Sequence, residues 1–244
     1  MTSTSDNPVA LVTGAAGGIG AATSRALARQ GYRVAVHDLG KPEAGNALVA
    51  ELPEAVYLDG DIAEPSVAPD LVAAVSERWG RLDVVVNNAG VARWFPHRDL
   101  DAVPDEWWHQ VLGVNLLGPW HLSRAAAPAL RATAGVIVNV ASVAGLTVSG
   151  SSIPYAVSKA ALIHLTKLLA VALAPRVRVN AIAPGYIDTP LTHDWTELRE
   201  GAAARAPLGR LGAPDDAAAA VLSLVSSPYT TGAVLTVDGG LNLA

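Results

Sequence analysis

Cysteine is absent from the 244 residues. No disulfide, thiolate nucleophile or cysteine-ligated zinc site can form, and the redox state of the surroundings has no hold on the fold. Charged residues make up only 16%, and lysine is the scarce cation, with Lys41, Lys159 and Lys167 set against a majority of arginines. The formal net charge of -5 provides no basic face for phosphate backbones, so no nucleic-acid partner is expected. Six histidines are scattered without ligand spacing, and no metal is expected. Mean hydropathy is high at +0.32. Even so, the longest suggestive run, 160–174, is interrupted by His164, Thr166 and Lys167 and reads as too broken for a span of ~20 apolar residues. The first basic residue is Arg25, so no positively charged segment precedes an apolar run as in a secretory leader. The expectation is a soluble, cytoplasmic protein without a membrane partner.

What is present is a strict alternation. Short β-branched runs at 9–13, 33–37, 55–58, 82–87, 136–141, 177–182 and 234–237 are mostly apolar throughout, as strands covered on both faces must be. Between them, helical periodicity predicts helices at 18–30, 43–51, 66–79, 104–131, 153–174 and 214–226. Alternating strands and helices imply parallel strands with right-handed crossovers. A (β/α)8 barrel needs eight such units and no early glycine turn, and only about seven strands fit. The fold class is α/β: a single Rossmann-type, doubly wound sheet with helices on both faces. Residues 1–7 are polar and expected to fray. No linker or repeat follows, so 1–244 reads as one domain. The long connector 187–207 is expected to be a substrate lid loop.

The first strand runs into Thr13-Gly14-Ala15-Ala16-Gly17-Gly18-Ile19-Gly20 and then a helix. Backbone N–H groups at a helix N-terminus hold a pyrophosphate, and Gly14, Gly18 and Gly20 let the chain approach it without a Cβ. Asp38 stands at the end of the second strand, 18 positions past Gly20. A carboxylate there accepts from ribose hydroxyls and repels a 2′-phosphate. NAD is therefore expected in preference to NADP, with Lys41 the only base just beyond. Asp61 and Ile62 follow the third strand, where they could flank an adenine.

Tyr155 and Lys159 lie four apart, one turn of helix, on one face. An ammonium beside a phenol favours the phenolate, and the expectation is a Tyr155 pKa lowered from ~10. Such a tyrosine can act as general acid/base toward a carbonyl or hydroxyl. Ser142 stands at the C-terminal end of the fifth strand, where ligands of parallel sheets bind.

These pieces, together with Asn87-Asn88-Ala89-Gly90, Asn115, Pro184-Gly185 and the late Val237-Asp238-Gly239-Gly240, resemble the short-chain dehydrogenase/reductase family over nearly the whole chain. The resemblance implies a single Rossmann domain of seven parallel strands. It also implies roles. Tyr155 is the acid/base, and Lys159 lowers its pKa and holds the nicotinamide ribose. Ser142 orients the substrate oxygen. Asn115 kinks its helix and binds a water that relays protons to Lys159. Asn88, Ala89 and Gly90 lie near the adenine ribose, while Pro184, Gly185, Ile187 and Thr189 contact the nicotinamide half.

Trp94, Val143, Tyr186 and Trp195 are expected to wall the substrate pocket, with His193 and Phe95 nearby. Their apolar character suits a neutral or hydrophobic alcohol or ketone. The resemblance further implies a homotetramer or homodimer built on 104–131 and 153–174. The leading reading is an NAD-dependent oxidoreductase on a secondary alcohol or ketone, with 3-oxoacyl-carrier-protein reduction as its variant. A non-catalytic dinucleotide sensor is the rival from another class, and intact Ser142, Tyr155 and Lys159 speak against it.

Overall fold

In the computed structural model, residues 7–192 and 195–243 are described. Seven parallel strands form one sheet in the order β3-β2-β1-β4-β5-β6-β7. They are β1 Val9–Thr13, β2 Arg33–Asp38, β3 Ala55–Asp59, β4 Val84–Asn87, β5 Val136–Val140, β6 Arg178–Pro184 and β7 Val234–Val237. The order reverses between β1 and β4, which pair through Ala10, Leu11 and Val12 against Val84, Val85 and Val86. A parallel sheet opens a crevice at such a reversal, beyond the carboxyl ends of its strands. The fold is thus the doubly wound α/β sheet that the alternation predicts.

The central strands are buried at every position, which explains their continuous apolar runs. One core lies on each face. Val12, Val34, Val86 and Val138 point to one side, toward α1 Gly18–Arg29 and α8 Pro214–Ser226. Leu11, Ala35, Val85 and Ile137 point to the other, toward α3 Val67–Trp79, α5 Gly118–Thr133 and α6 Ile153–Leu173. Alternate residues of one strand feed opposite cores, as the pleat requires.

Three elements differ from the sequence expectation. The helix expected over 104–131 is two helices, α4 Asp105–Leu112 and α5, joined by a π-turn at Gly113–Leu117. The connector 187–207 is not a plain loop. It carries a 3-10 turn at Pro190–Thr192 and a helix, α7 Thr196–Arg205, tied back by the Arg199–Asp188 ion pair at 2.6 Å. Its alanine- and charge-rich sequence has little amphipathic pattern, so periodicity does not announce it. Third, α6 reaches 21 residues and its best window has mean hydropathy 1.6, enough by length and composition alone for a membrane span. The interrupting polar residues are too few to lower that average. In this fold, however, 44% of the window is buried inside the protein. The expected fraying of 1–7 falls on positions outside the described residues except at Asn7, whose carbonyl accepts from Arg33 at 2.6 Å.

Candidate active site

The glycine turn is built by sterics. Gly14 has φ +62°, and a Cβ there would sit 2.8 Å from Ala89 Cα. Gly18 has φ +52°. Gly14 therefore excludes a side chain on two counts, and Gly18 disfavours one through its positive φ. Gly17 caps α1 without any side-chain hydrogen bond, and the space beside it is open. The first-turn N–H groups of α1 thus have no capping side chain. Asn88 braces this turn from β4: its Nδ2 donates to the carbonyls of Thr13 at 2.8 Å and Gly14 at 2.9 Å. Thr13 Oγ1 returns the favour, accepting from the N–H groups of Asn88 and Ala89 at 3.1 and 3.0 Å. Thr13 stands in the sequence motif with no role assigned to it; the residue is buried in this lock.

At the end of β2, the Asp38 carboxylate accepts from Ala16 N–H at 2.9 Å and Leu39 N–H at 2.9 Å, and pairs with Lys41 at 3.4 Å. His37 beside it is buried, with Nε2 2.9 Å from the Gly60 carbonyl. Burial holds its pKa below the ordinary 6.5.

One cavity of about 690 Å³ runs along the carboxyl ends of the strands. It is lined by Gly14, Gly18, Ile19, Asp38, Asp61 and Ile62 at one end. Ser142, Tyr155, Lys159, Pro184, Gly185, Ile187 and Thr189 line the other, with Asn88, Ala89 and Gly90 between. Two of the expected catalytic and cofactor-binding residues do not line it. Gly20 packs behind the turn, where a Cβ would strike the Gly14 carbonyl and the Asn88 amide. Asn115 lies fully buried at the π-turn. Its Oδ1 accepts from Val91 N–H at 2.9 Å, and its Nδ2 donates to the Val91 carbonyl and to Ser158 Oγ, both at 3.1 Å. The cavity also takes in His37, Leu39, Lys41, Val114 and Leu191.

Ser152 caps α6, its hydroxyl accepting from Tyr155 N–H, and this fixes the helical phase that brings Tyr155 and Lys159 to the cavity. Ser142 Oγ accepts from Ala144 N–H at 3.1 Å. The expected electrostatics are reversed. Lys159 Nζ donates to the Val140 carbonyl at 2.8 Å and stands 5.7 Å from the centre of the Tyr155 ring. Burial raises the Tyr155 phenol above its ordinary value of 10.0, with contact to Ser142 opposing the rise. Burial likewise lowers Lys159 to about 8. Desolvation penalises each charged form more than the pair's separation repays.

None of the four residues expected to wall a substrate pocket lines this cavity. Trp94 is exposed, and Val143 sits in the short turn Val143–Gly145 after Ser142. Tyr186 and Trp195 meet edge to face, with ring centres 6.3 Å apart. Phe95 meets Trp107 at a tilt, with ring centres 6.2 Å apart. His193 lies outside the described residues. Side-chain loops of this kind follow tertiary packing, which residue type alone does not reveal.

A glycine-turn crevice at the sheet reversal, with a serine, tyrosine and lysine at its far end, is the layout of a nicotinamide-dinucleotide oxidoreductase. Comparison with known proteins agrees. The family model described as enoyl-(acyl carrier protein) reductase matches residues 14–242. The chain is 48% identical over 240 residues to a Streptomyces violaceoruber protein assigned as ketoacyl reductase 2 of the granaticin polyketide synthase, covering 97% of this chain and 96% of that one. It is 41% identical to the 3-oxoacyl-(acyl-carrier-protein) reductase of Thermotoga maritima, covering 97% and 98%. A Brucella melitensis 3-ketoacyl-(acyl-carrier-protein) reductase solved with NADH superimposes with a TM-score of 0.90 at 31% identity, covering 96% and 98%. The chain belongs to the short-chain dehydrogenase/reductase family and is an oxidoreductase that uses a nicotinamide dinucleotide on small-molecule substrates.

Proposed function

We propose that this oxidoreductase uses NAD and acts on a secondary alcohol or its ketone, with Tyr155 as proton donor and acceptor. The observation that carries the reading is that Ser142, Tyr155 and Lys159 open onto the same cavity as the glycine turn and Asp38. The residues fit a dinucleotide. The open space beside Gly17 admits a pyrophosphate at the start of α1, and Asp38 presents a carboxylate to the ribose hydroxyls. When bound, the nicotinamide supplies or receives the hydride.

The chain's own residues do the rest. In reduction, the Tyr155 hydroxyl gives its proton to the substrate oxygen, while Ser142 Oγ holds that oxygen in place. A phenol kept protonated by burial is a ready donor, and Lys159 offsets the phenolate charge left behind. In oxidation, the same groups act in reverse. Asn115 holds the Val91 backbone and the Ser158 hydroxyl, tying the segment after β4 to the turn of α6 that carries Lys159.

The variant on carrier-protein thioesters stands beside this reading, because two relatives bear ketoacyl reductase names. A Sinomonas cyclohexanicum relative, 38% identical, is named for cis-4-hydroxycyclohexanecarboxylate dehydrogenation, which supports free alcohols equally. The test is a screen of alcohols, ketones, 3-oxoacyl and enoyl thioesters, followed at the NADH absorbance band. Tyr155→Phe is expected to lower kcat by about 100-fold or more while NADH fluorescence titration still shows binding. Turnover of that variant within a few-fold of the wild type would sink the assignment.

A further inference from the structure

We propose that the substrate carries an anionic group outside the reacting carbon, and that Arg93 is the specificity residue that meets it. The inference rests on the reading of Tyr155 as the proton donor and adds the substrate's charge to it.

No carboxylate lines the reacting end of the crevice. Of the Asp, Glu, Lys and Arg residues that line the cavity, Asp38, Lys41 and Asp61 belong to the glycine-turn end, and Lys159 stands alone at the other. The distribution of acids along the chain explains this. No Asp or Glu occurs at 84–98 or at 107–187, the stretches that supply Val91, Ser142, Tyr155, Lys159 and Ile187. The 22 acids of this net negative chain lie elsewhere, as at Glu43 and Glu51 on α2 Pro42–Glu51, Asp70 and Glu77 on α3, and Asp105 and Glu106 on α4. Asp188, the next acid after 107–187, is paired with Arg199. A cleft end whose walls carry positive charge alone raises the local concentration of anions.

Arg93 is placed to use that field. It stands two residues, at most about 7 Å of chain, past Val91, which lines the cavity and is held by Asn115. Two residues further on, Phe95 N–H donates to the Ser151 carbonyl at 2.8 Å. Ser151 precedes the cap of α6, whose first turn carries Tyr155. The segment is thus pinned on both sides of Arg93, beside the start of α6. The Arg93 guanidinium lies over the Phe95 ring, 5.1 Å from its centre. Stacking through its face leaves the N–H edge for a carboxylate or phosphate. Among the described residues no carboxylate takes that edge, whereas Arg25, Arg33, Arg199 and Arg210 each have one. The nearest acids along the chain are spent: Asp83 pairs with Arg81, and Asp99 Oδ1 accepts from Ala102 N–H. Donors, by contrast, are left over. Ser151 Oγ and Trp107 Nε1, on the two residues that Phe95 touches, are buried without a hydrogen-bond partner among the described residues. Unpaired donors beside an unpaired guanidinium suit the oxygens of an anion.

Two sources supply such an anion: the carboxylate of a free keto acid, or the phosphate of a pantetheine arm. Two matched pairs separate them, with reduction followed at the NADH band. 4-Oxocyclohexanecarboxylate is set against its methyl ester, and acetoacetyl phosphopantetheine against acetoacetyl N-acetylcysteamine. The wild type is expected to prefer the charged member of one pair by about tenfold or more in kcat/KM. Arg93→Ala should raise KM for that member about tenfold with kcat little changed, as loss of one charge-assisted hydrogen bond requires. Arg93→Lys should keep part of the preference, and Arg98→Ala on the same segment should keep all of it. Added salt should shrink it. Equal losses on the charged and neutral members would mean a merely structural arginine and overturn the proposal. So would no preference in either pair, a preference that survives Arg93→Ala, or one that Arg98→Ala removes as well. A wild type that reduces none of the four compounds yet reduces other, uncharged ketones would also overturn it. If no carbonyl compound is reduced although NADH binds, the reading of Tyr155 fails as well.

Discussion

Gly90 shows how much a single missing methyl can matter. A Cβ there would lie 3.4 Å from Asn115 Oδ1 and 3.5 Å from Lys159 Nζ, ordinary contact distances. Gly90→Ala should therefore fold with little loss of stability, yet fill the gap between the two polar groups. We expect its melting temperature to stay near the wild type while kcat falls about tenfold or more, as blocked proton movement would produce. A wild-type kcat in that variant would leave the gap without a catalytic part.

Lys159 offers a second test at this scale. Its folded pKa of about 8 lies below the unfolded lysine value of 10.5, so the buried ammonium costs stability at neutral pH. Between those values the unfolded chain binds more protons, and wild-type stability rises with pH. Lys159→Met should thus be more stable than the wild type at pH 7, by roughly 1–3 kcal/mol, and inactive. The advantage should shrink from pH 8 to 10. Urea titrations of both proteins across that range would show it, and a constant gap would contradict the buried charge.

Glycines, Asp38 and the tyrosine–lysine spacing could be read from the string because each is a local rule of geometry or charge. The reversed pKa of Tyr155 could not, because it depends on burial and on where the ammonium ends up.

Among the elements, strands were the easiest to foresee. A strand covered on both faces is mostly apolar, and β1, β2, β4 and β5, buried at every position, each carry a run of three apolar residues or more. Periodicity hid the π-turn at Gly113–Leu117, although the family resemblance implies a kink at Asn115, whose bonds to Val91 and Ser158 hold the widened turn. Equally hidden was the brace across β4, β5 and α6. Asn87 Nδ2 donates to Asn139 Oδ1 at 2.7 Å and Asn139 Nδ2 to Thr166 Oγ1 at 2.8 Å, all three residues buried. Asn139→Leu would take one buried partner each from Asn87, left with Ser123, and from Thr166, left with the Leu162 carbonyl. We expect it to cost ~2–4 kcal/mol in urea unfolding. A loss below about 0.5 kcal/mol would show that the brace carries no stability.

At the scale of the whole molecule, one face is left apolar. Leu117 and Trp120 at the start of α5 and Val157, Leu168 and Val171 on α6 are exposed, Val171 to 82%. The homodimer or homotetramer expected from the family would use these helices, and their uncovered side chains support that proposal. Leu168→Glu combined with Val171→Glu should shift the protein to a smaller assembly by analytical ultracentrifugation. An unchanged mass would place the interface elsewhere.

In the proposed reading, the glycine turn and Asp38 that would take the adenosine half follow β1 and β2, while Ser142, Tyr155 and Lys159 gather beyond β5. Retargeting the enzyme from one dinucleotide to another is therefore work for one half of the sheet, with the proton chemistry out of reach. Asp38 is the wrong place to begin, because its carboxylate is also the strut that ties β2 to Ala16 in the phosphate turn. A redesign that keeps the aspartate and changes Leu39 or Lys41 alters what the rim attracts without loosening the seat beneath it.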